Sequence, residues 1–484
     1  MSTNIGQKTL PKSGPHSDLK RAILDRIRRD KSIRVCTPND FLDLGSRSAI
    51  DKTLQRLTRL GDIRRIDRGI YDLPHVNSLT GKPSTPDYSA IIDAIARREK
   101  ARFLPDGITA ANQLGLTDAV PAKVTIHTDA RLRPIHLDRL VIDFKLTAPS
   151  RLYWAGHPAM RIVQALHWLH LDGEADEFMQ FVADVKPTED GSLQIMYGID
   201  GRRELSESSR DDLSGYAGAR PVRVGNAAFS QRQNDVFGAV LDSILLHTRR
   251  NERLPGRLWP IVESQAQCAT RVWRDPDQGI WEARGKPQHY VSSKLMCWVA
   301  LDRASALAEI RGDPSVAATW RSTAHEIRAD VLAHGVSDRG VLRQHYETDA
   351  LDASTLLAGS FKFLAHDDER LRNTVLAIAE ELTENGFVLR YRTDETDDGL
   401  SGKEGTFVIC SFWLVSALAI VGEMQRARDL MERLLRIASP LGLYAEEYDP
   451  ETGRHLGNFP QAFSHLALIE AAARMIFLQR LAEF

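Results

Sequence analysis

Apolar residues recur every three to four positions through most of this chain, and the places where that rhythm breaks divide it into helices, a β-like stretch and long loops. Leu19, Ile23 and Ile27 fall at i, i+4 and i+8 and predict a first helix over Asp18–Arg29. Thr37 before Pro38 reads as an N-cap followed by a favourable first helical residue, with Phe41 and Leu44 on one face and Gly45 as the stop. Ser48 can cap a third helix that turns Ile50, Leu54, Leu57 and Leu60 inward and ends at Gly61, while Arg47, Lys52, Arg56 and Arg59 occupy its other face. Over Asp62–Leu73 the spacing shortens: Ile63, Ile66, Ile70 and Tyr71 interleave with Arg64, Arg65 and Arg68 around a turn at Gly69, the outline of a two-stranded wing. This order, over 17–74, is that of an α+β winged helix-turn-helix, whose third helix would enter a DNA major groove while wing arginines touch phosphates. Three short helices with solvated charged faces would give the same pattern without a ligand.

A polar tail, 1–16, is expected to be disordered, and a mixed α/β stretch follows the wing over 75–169. From 170 to 484 the pattern is helical almost throughout, with helix-length segments near 174–183, 227–250, 256–273, 291–310, 314–333, 352–364, 369–385, 405–421, 424–438 and 460–481. The connections at 275–290, 386–404 and 439–459 are long and hold most of the glycine, tryptophan and carboxylate clusters. Helical hairpins closed into a ring would gather such loops at one end, where binding residues sit on a rigid scaffold. Helix pairs without a short sequence repeat favour a mainly α toroid over a solenoid.

Charge sharpens this division. The net charge is −2 over 484 residues, yet residues 1–170 carry 28 Lys+Arg against 17 Asp+Glu, and residues 171–484 carry 35 against 48. A basic module suits a polyanion, and an acidic helical one suits neutral ligands handled by carboxylates. No apolar run approaches the roughly 18–20 residues of a membrane span, and MSTNIGQKTLPKSGPHS lacks the apolar core of a secretory signal, so a cytoplasmic protein with no membrane partner is expected. Cys36, Cys268, Cys297 and Cys410 have no C-x-x-C spacing and read as buried thiols.

Two loop glutamates carry the candidate chemistry: Glu282 in DQGIWEARG and Glu446 in LYAEEYDPETGRHLGNFPQAFSH. Trp281 offers an apolar wall that would raise a neighbouring carboxyl's pKa and favour a protonated acid. Glu446 and Glu447 are adjacent, so one can serve as a charged base while the other binds ligand or supports the loop. Arg284 could bind sugar hydroxyls. Such a pair facing one cleft suits hydrolysis of a glycosidic bond, with inversion if the carboxyls stand about 6.5–9.5 Å apart. His289, His345, His455 and His465 form no pair with metal-ligand spacing on one helix, and loop or core hydrogen bonding is expected of them. The glycine-containing turns lack a P-loop's Lys-Ser/Thr sequel, so no metal and no nucleotide cofactor is expected.

Beyond these local readings, TPNDFLDLGSRSAIDKTLQRLTRLGDIRRIDRGIYDLP and PDGITAANQLGLTDAVPAKVTIHTD resemble the winged-helix antitoxins of type IV (AbiEi-like) toxin–antitoxin systems, to about Leu169. That resemblance implies DNA binding and neutralisation of a nucleotidyltransferase toxin. From about 170 to 475, LQIMYGIDGRRELSE, DQGIWEARGKPQHYVSSKLMCWVALDRA, LDASTLL, DDGLSGKEGTFVICSFWLVSAL and LYAEEYDPETGRHLGNFPQAFSHLALI stand in the order found in glycoside hydrolase family 15, and look most like its trehalase and glucoamylase-like branch. The resemblance implies an (α/α) toroid and inverting, exo-acting release of glucose from trehalose, maltose or an α-glucan end. It makes Glu282 the general acid and Glu446 the general base, with Trp281, Arg284, Tyr290, Arg392, Glu404, Trp413 and Glu447 on the substrate side. The family's opening helices, with the Trp- and Arg-Asp-rich motif that grips the terminal glucose, have no counterpart in this sequence. About ten helices are expected where six hairpins need twelve, so the ring would be partial and some of its apolar faces uncovered. A DNA-binding regulator on a degenerate glycosidase scaffold is the alternative.

Overall fold

The computed structural model describes residues 15–30, 33–74, 87–113, 123–137, 140–148, 191–198, 200–396 and 404–482, with isolated positions between 152 and 188. The tail at 1–14 and most of the helix expected at 174–183 lie outside the described residues. The chain divides into two compact units, 1–169 and 170–484.

In the first unit, α1 (Pro15–Arg29) is followed by β1 (Val35–Cys36), a 3-10 turn (Pro38–Phe41), α2 (Arg47–Leu60), β2 (Arg64–Asp67) and β3 (Ile70–Asp72). Thr37 forms a reciprocal capping box with Asp40. The α2 cap is Ser46, which accepts from the Ala49 N–H, where the sequence pointed to Ser48. Ile50, Thr53, Leu54 and Leu57 are buried, whereas Leu60, expected inward, is 65% exposed: it lies in the last turn, where Gly61 takes φ 77 and ends the helix. The predicted two-stranded wing has a third member, for β1 pairs antiparallel with β3 in the order β1-β3-β2.

Strand alternation gives this small sheet two buried faces. Cys36 and Tyr71 join Ile23, Phe41, Leu54 and Leu57 in one core, while Val35 and Ile70 join a second core with Ile91, Ile95, Ile126 and Ile142. The second core lies under α3 (Tyr88–Glu99) and the sheet β4-β5-β7-β6, formed by β4 (Phe103–Pro105), β5 (Lys123–Thr128), β6 (Ile135–Leu137) and β7 (Leu140–Leu146); α4 (Gly107–Gln113) follows β4. β5 and β7 are parallel and the other pairs antiparallel. Residues 17–74 are therefore packed onto the α/β stretch after them.

The second unit is mostly helical. After a short ribbon of β8 (Ser208–Ser209) and β9 (Arg223–Val224) come α5 (Asp235–Arg250), α6 (Trp259–Val272), α7 (Val291–Arg311) and α8 (Pro314–His334), then α9 (Glu369–Glu381), α10 (Val408–Ile420), α11 (Met424–Ile437) and α12 (Ala462–Ala482). Between α9 and α10 run β10 (Thr383–Glu384), β11 (Phe387–Val388) and β12 (Thr406–Phe407), and β12 pairs with β13 (Glu447–Asp449), which pairs with β14 (Arg454–Leu456). The helix expected at 227–250 starts only at Asp235, because Ala227–Ser230 forms a separate 3-10 turn; that at 352–364 is a 3-10 turn, Ala353–Leu356, and one helical turn, Leu357–Ser360.

Two helices organise the packing: α7 lies against α5, α6 and α8, and α10 against α9, α11 and α12. Both are apolar around most of their circumference, the pattern of a helix with neighbours on every side. Alpha-12 is equally apolar but leaves Phe463, Leu466 and Phe477 more than half exposed, at spacings that place them along one face.

Candidate active site

Glu282 lies in the loop from α6 to α7, which folds back on itself through the antiparallel bridge Asp277–Gln288. Gly279 and Glu282 both adopt left-handed backbone, at φ 67 and 57. A Cβ at Gly279 would press on the Tyr290 ring, so only glycine fits there. For a glutamate this conformation costs about 1–3 kcal/mol and persists only where neighbours enforce it. Here the Glu282 N–H donates to Gly279 O (3.3 Å), the Ala283 N–H to Gln278 O (3.2 Å), and the Gln231 amide to the carbonyls of Glu282 and Ala283. The half-buried carboxylate accepts through Oε2 from Asn226 Nδ2 at 3.0 Å, and Asn226 is itself fixed because its Oδ1 accepts from the Ala228 N–H.

Close to Glu282 are two carboxyls that the sequence did not single out. Asp235 opens α5 with an Oδ1 shut off from solvent and without a hydrogen-bond partner; burial, together with the charges of Asp277 and Glu282, pushes its pKa up to about 7. Burial likewise lifts Asp277 to about 6, although it accepts from the Asn234 N–H at 2.8 Å.

Trp281 points into the packed interior. Its indole N–H donates to Asp352 (2.9 and 3.1 Å), and its ring packs against Trp413 at 5.9 Å and Phe407 at 6.0 Å. These neighbours differ from the apolar wall against Glu282 expected from sequence; the partner seen on that carboxylate is the polar amide of Asn226. Asp352 is buried, which raises its pKa against the opposing donors Ser354, Trp281 and Gln344. Arg390, 9% exposed, grips Glu404 with a two-pronged ion pair and donates to the Trp281 carbonyl at 3.4 Å.

Glu404 leads into β12, whose partner β13 carries the other candidate. Glu446 immediately precedes β13: its carbonyl accepts from the Val408 N–H (3.0 Å), its N–H donates to Asn458 O (2.9 Å), and its Oε2 accepts from Asn458 N (3.1 Å) and Nδ2 (3.0 Å). Glu447, opposite Phe407 in the ladder, accepts from the Gly405 N–H at 2.8 Å. Burial carries the Glu447 pKa up to about 7 against that hydrogen bond, with the negative charges of Glu404 and Glu446 adding to the rise. His455 accepts from the Ala445 N–H and donates to Ile437 O, and His465 accepts from the Tyr444 N–H and donates to Gln461 O, so both histidines brace the residues just before Glu446.

Trp281, Arg390, Glu404, Phe407, Trp413, Glu446 and Glu447 thus form one connected network. Three candidates lie elsewhere. Arg284 pairs with Glu207 at 3.0 Å, Tyr290 is buried at the start of α7 against His345, and Arg392 donates to the carbonyl of Glu381. Arg390, two residues earlier, fills the central position. Among the described residues no group of three or more His, Cys, Asp or Glu is placed to hold a metal ion, and no helix is long and apolar enough to cross a membrane.

In the first unit, Lys52, Arg56 and Arg59 are exposed along one side of α2. Arg47 is tied to Asp51 and Asn39, Arg65 to the Asp67 carbonyl, and Arg64 to buried Asp72 by a two-pronged pair that locks β2 to β3; Arg68 is exposed at the β2–β3 turn.

Comparison with protein-family models matches residues 159–473 to glycosyl hydrolases family 15 and residues 22–188 to a family of unknown function, DUF6088. Among curated proteins, a trehalase of Mycolicibacterium smegmatis is 60% identical over 314 residues, 64% of this chain and 47% of that protein. A trehalase of Mycobacterium tuberculosis is 59% identical, over 64% of this chain and 46% of that one, and one of Thermoplasma volcanium 36%, over 65% and 50%. The chain therefore spans about half the length of the curated relatives it matches. Among solved structures, a Saccharomycopsis fibuligera glucoamylase aligns over 69% of this chain and 88% of its own at 13% identity, TM-score 0.49. A wild-type glycosidase aligns over 68% and 84% at 22% identity, TM-score 0.47.

Proposed function

The chain belongs to glycosyl hydrolase family 15, and on that premise we propose that its second unit is a partial (α/α) toroid that hydrolyses an α-glucoside, with trehalose the leading substrate. Supporting that choice is the identity of about 60% to two trehalases across the matched region. In this mechanism Glu282 gives its proton to the glycosidic oxygen as the bond to the anomeric carbon breaks. Glu446 takes a proton from a water whose oxygen attacks that carbon from the opposite face, so the configuration inverts. The observation that carries the reading is the network joining the two glutamate loops, in which Arg390 binds the Trp281 carbonyl and Glu404 while Phe407 bridges Trp281 and the Glu447 strand. Each glutamate engages only Oε2 among the described residues, which leaves Oε1 for substrate or water. Glu447, Glu404 and Trp413 support this geometry, and preorganised positioning of this kind is worth many kcal/mol of a barrier. Proton NMR of the first turnovers on trehalose tests the stereochemistry: one α- and one β-glucose per bond is expected, and two α-glucoses would overturn inversion.

The basic first unit carries a second activity in this reading: residues 17–74 are a winged helix-turn-helix that binds DNA through Lys52, Arg56 and Arg59 of α2, with Arg47, Arg65 and Arg68 on phosphates. Arg64, held by Asp72, is a brace for the wing. The antitoxin resemblance extends this to a nucleotidyltransferase toxin partner, testable by rescue of growth on co-expression. Because the chain covers about half of each matched trehalase, a non-enzymatic regulator is the second reading. A folded chain that binds DNA and releases no glucose from trehalose, maltose or starch would favour it.

A further inference from the structure

A cavity of about 410 Å³ opens in the first unit where the β2–β3 turn, the last turns of α3, the β5–β6 loop and β7 meet. Its volume falls in the roughly 300–1,000 Å³ range of small-molecule sites. Its wall is built from arginine: Arg47 from α2, Arg68 from the β2–β3 turn, Arg98 from α3, and Arg131 and Arg133 from the β5–β6 loop. Asp67 is the single carboxylate among the lining residues. Two of the guanidiniums are engaged already, Arg47 with Asp51 and Arg98 with Glu99. For Arg68, Arg131 and Arg133 the described residues supply no acceptor, and all three are exposed. Three uncompensated, exposed guanidiniums converging on one concavity make a site for a multiply charged anion, because each can offer a paired N–H fork to phosphate oxygens.

The rest of the lining is apolar. Ile95 is buried, Leu132 and Phe144 are half-buried, and Phe144 is held edge-on by Phe103 at 6.2 Å. An apolar floor beside an arginine wall fits a ligand with a flat, poorly hydrated body and a phosphate at one end. It fits a phosphosugar poorly, since ring hydroxyls buried against Ile95, Leu132 and Phe144 would lose water without gaining partners.

We propose that this cavity binds a nucleoside phosphate, with the phosphate on Arg68, Arg131 and Arg133 and the base against Phe144 and Leu132. Arg47 and Arg68 also serve the DNA-binding reading, as phosphate contacts, whereas Arg131 and Arg133 belong to this cavity alone, so a nucleotide and a DNA duplex separate the two readings. A ligand here touches the wing turn and the α/β part together, the two halves whose cores share the small β1-β3-β2 sheet.

The test is calorimetric titration of the full chain with AMP, GMP, adenosine, inorganic pyrophosphate and a short DNA duplex. It is repeated on Arg131→Ala/Arg133→Ala, on Arg68→Ala and, as a control, on Arg21→Ala, whose side chain is 85% exposed on α1. AMP or GMP should bind wild type and the control alike, lose about ten-fold in affinity per deleted guanidinium, and outcompete both adenosine and pyrophosphate. Since the substituted arginines are exposed, circular dichroism should be unchanged in every variant. The proposal is overturned if folded wild type binds neither nucleotide at millimolar concentration, or if the substitutions leave nucleotide affinity intact. Pyrophosphate binding as well as AMP would overturn the nucleoside assignment, and loss of duplex binding alone in the variants would assign these arginines to nucleic-acid backbone instead.

Discussion

Asp235 is a carboxyl whose environment works against its charge. It is half-buried, with one oxygen shut off from solvent and Asp277 and Glu282 nearby, and its pKa is pushed up to about 7 from the 3.8 of an ordinary aspartate. Between those values the folded state binds the extra proton, so this group's contribution to stability is present at low pH and is lost as pH rises toward 7. Asp235→Asn should therefore flatten the decline in melting temperature between pH 5 and 8, and a variant with wild-type pH dependence would refute the assignment. Arg390→Ala should cost about 3–5 kcal/mol in urea unfolding, because it strands Glu404 inside a low-solvent network. Neither residue stood out in the sequence. Glu282 and Glu446 drew the reading because tryptophan, glycine and a second glutamate flank them in recognisable order. Asp235 and Arg390 matter through neighbours 14 to 109 residues away along the chain, and local pattern carries no trace of them. Arg392 drew attention instead of Arg390 because both stand on one alternating stretch, LRYR, and only the fold separates the one on Glu404 from the one on Glu381.

Helices were the most readable elements. Those from α6 to α12 begin and end within a few residues of where apolar periodicity placed them, since a long amphipathic or fully apolar segment has few other ways to bury itself. Most misses were at termini, Ser48 for Ser46, Leu60 for a solvent-facing last turn and a 3-10 turn read as part of α5, and the helix expected at 352–364 is a 3-10 turn and a single helical turn. Burial on α2 gives a direct check. Leu54→Ala should destabilise the first unit by about 2–5 kcal/mol, as for a fully buried leucine, while Leu60→Ala should stay within about 0.5 kcal/mol. Equal losses would mean that α2 is rotated from the orientation described. The third strand of the β1-β3-β2 sheet was not legible, because Val35–Cys36 is too short for any period to show; its partner β3 supplies the order.

At the scale of the whole molecule, the opposed charges of the two halves fit two chemistries on one chain. If α2 meets DNA through Lys52, Arg56 and Arg59, replacing any one with alanine should weaken binding to all sequences and reduce the slope of log affinity against log salt by about one unit. An unchanged slope for all three would remove α2 from the interface. The helical unit was legible as a class, and its loop-borne carboxylates were singled out as a pair from their local context; its junction near His170 falls outside the described residues. The central claim is that Glu282 and Glu446 act as acid and base, and it rests most directly on glucose release from trehalose by the full chain, compared with Glu282→Gln and Glu446→Gln. The wild-type chain should release glucose and each variant should be slower by about 10²–10⁴-fold with its fold intact; undiminished release by either variant, or none by the folded wild type, would contradict it.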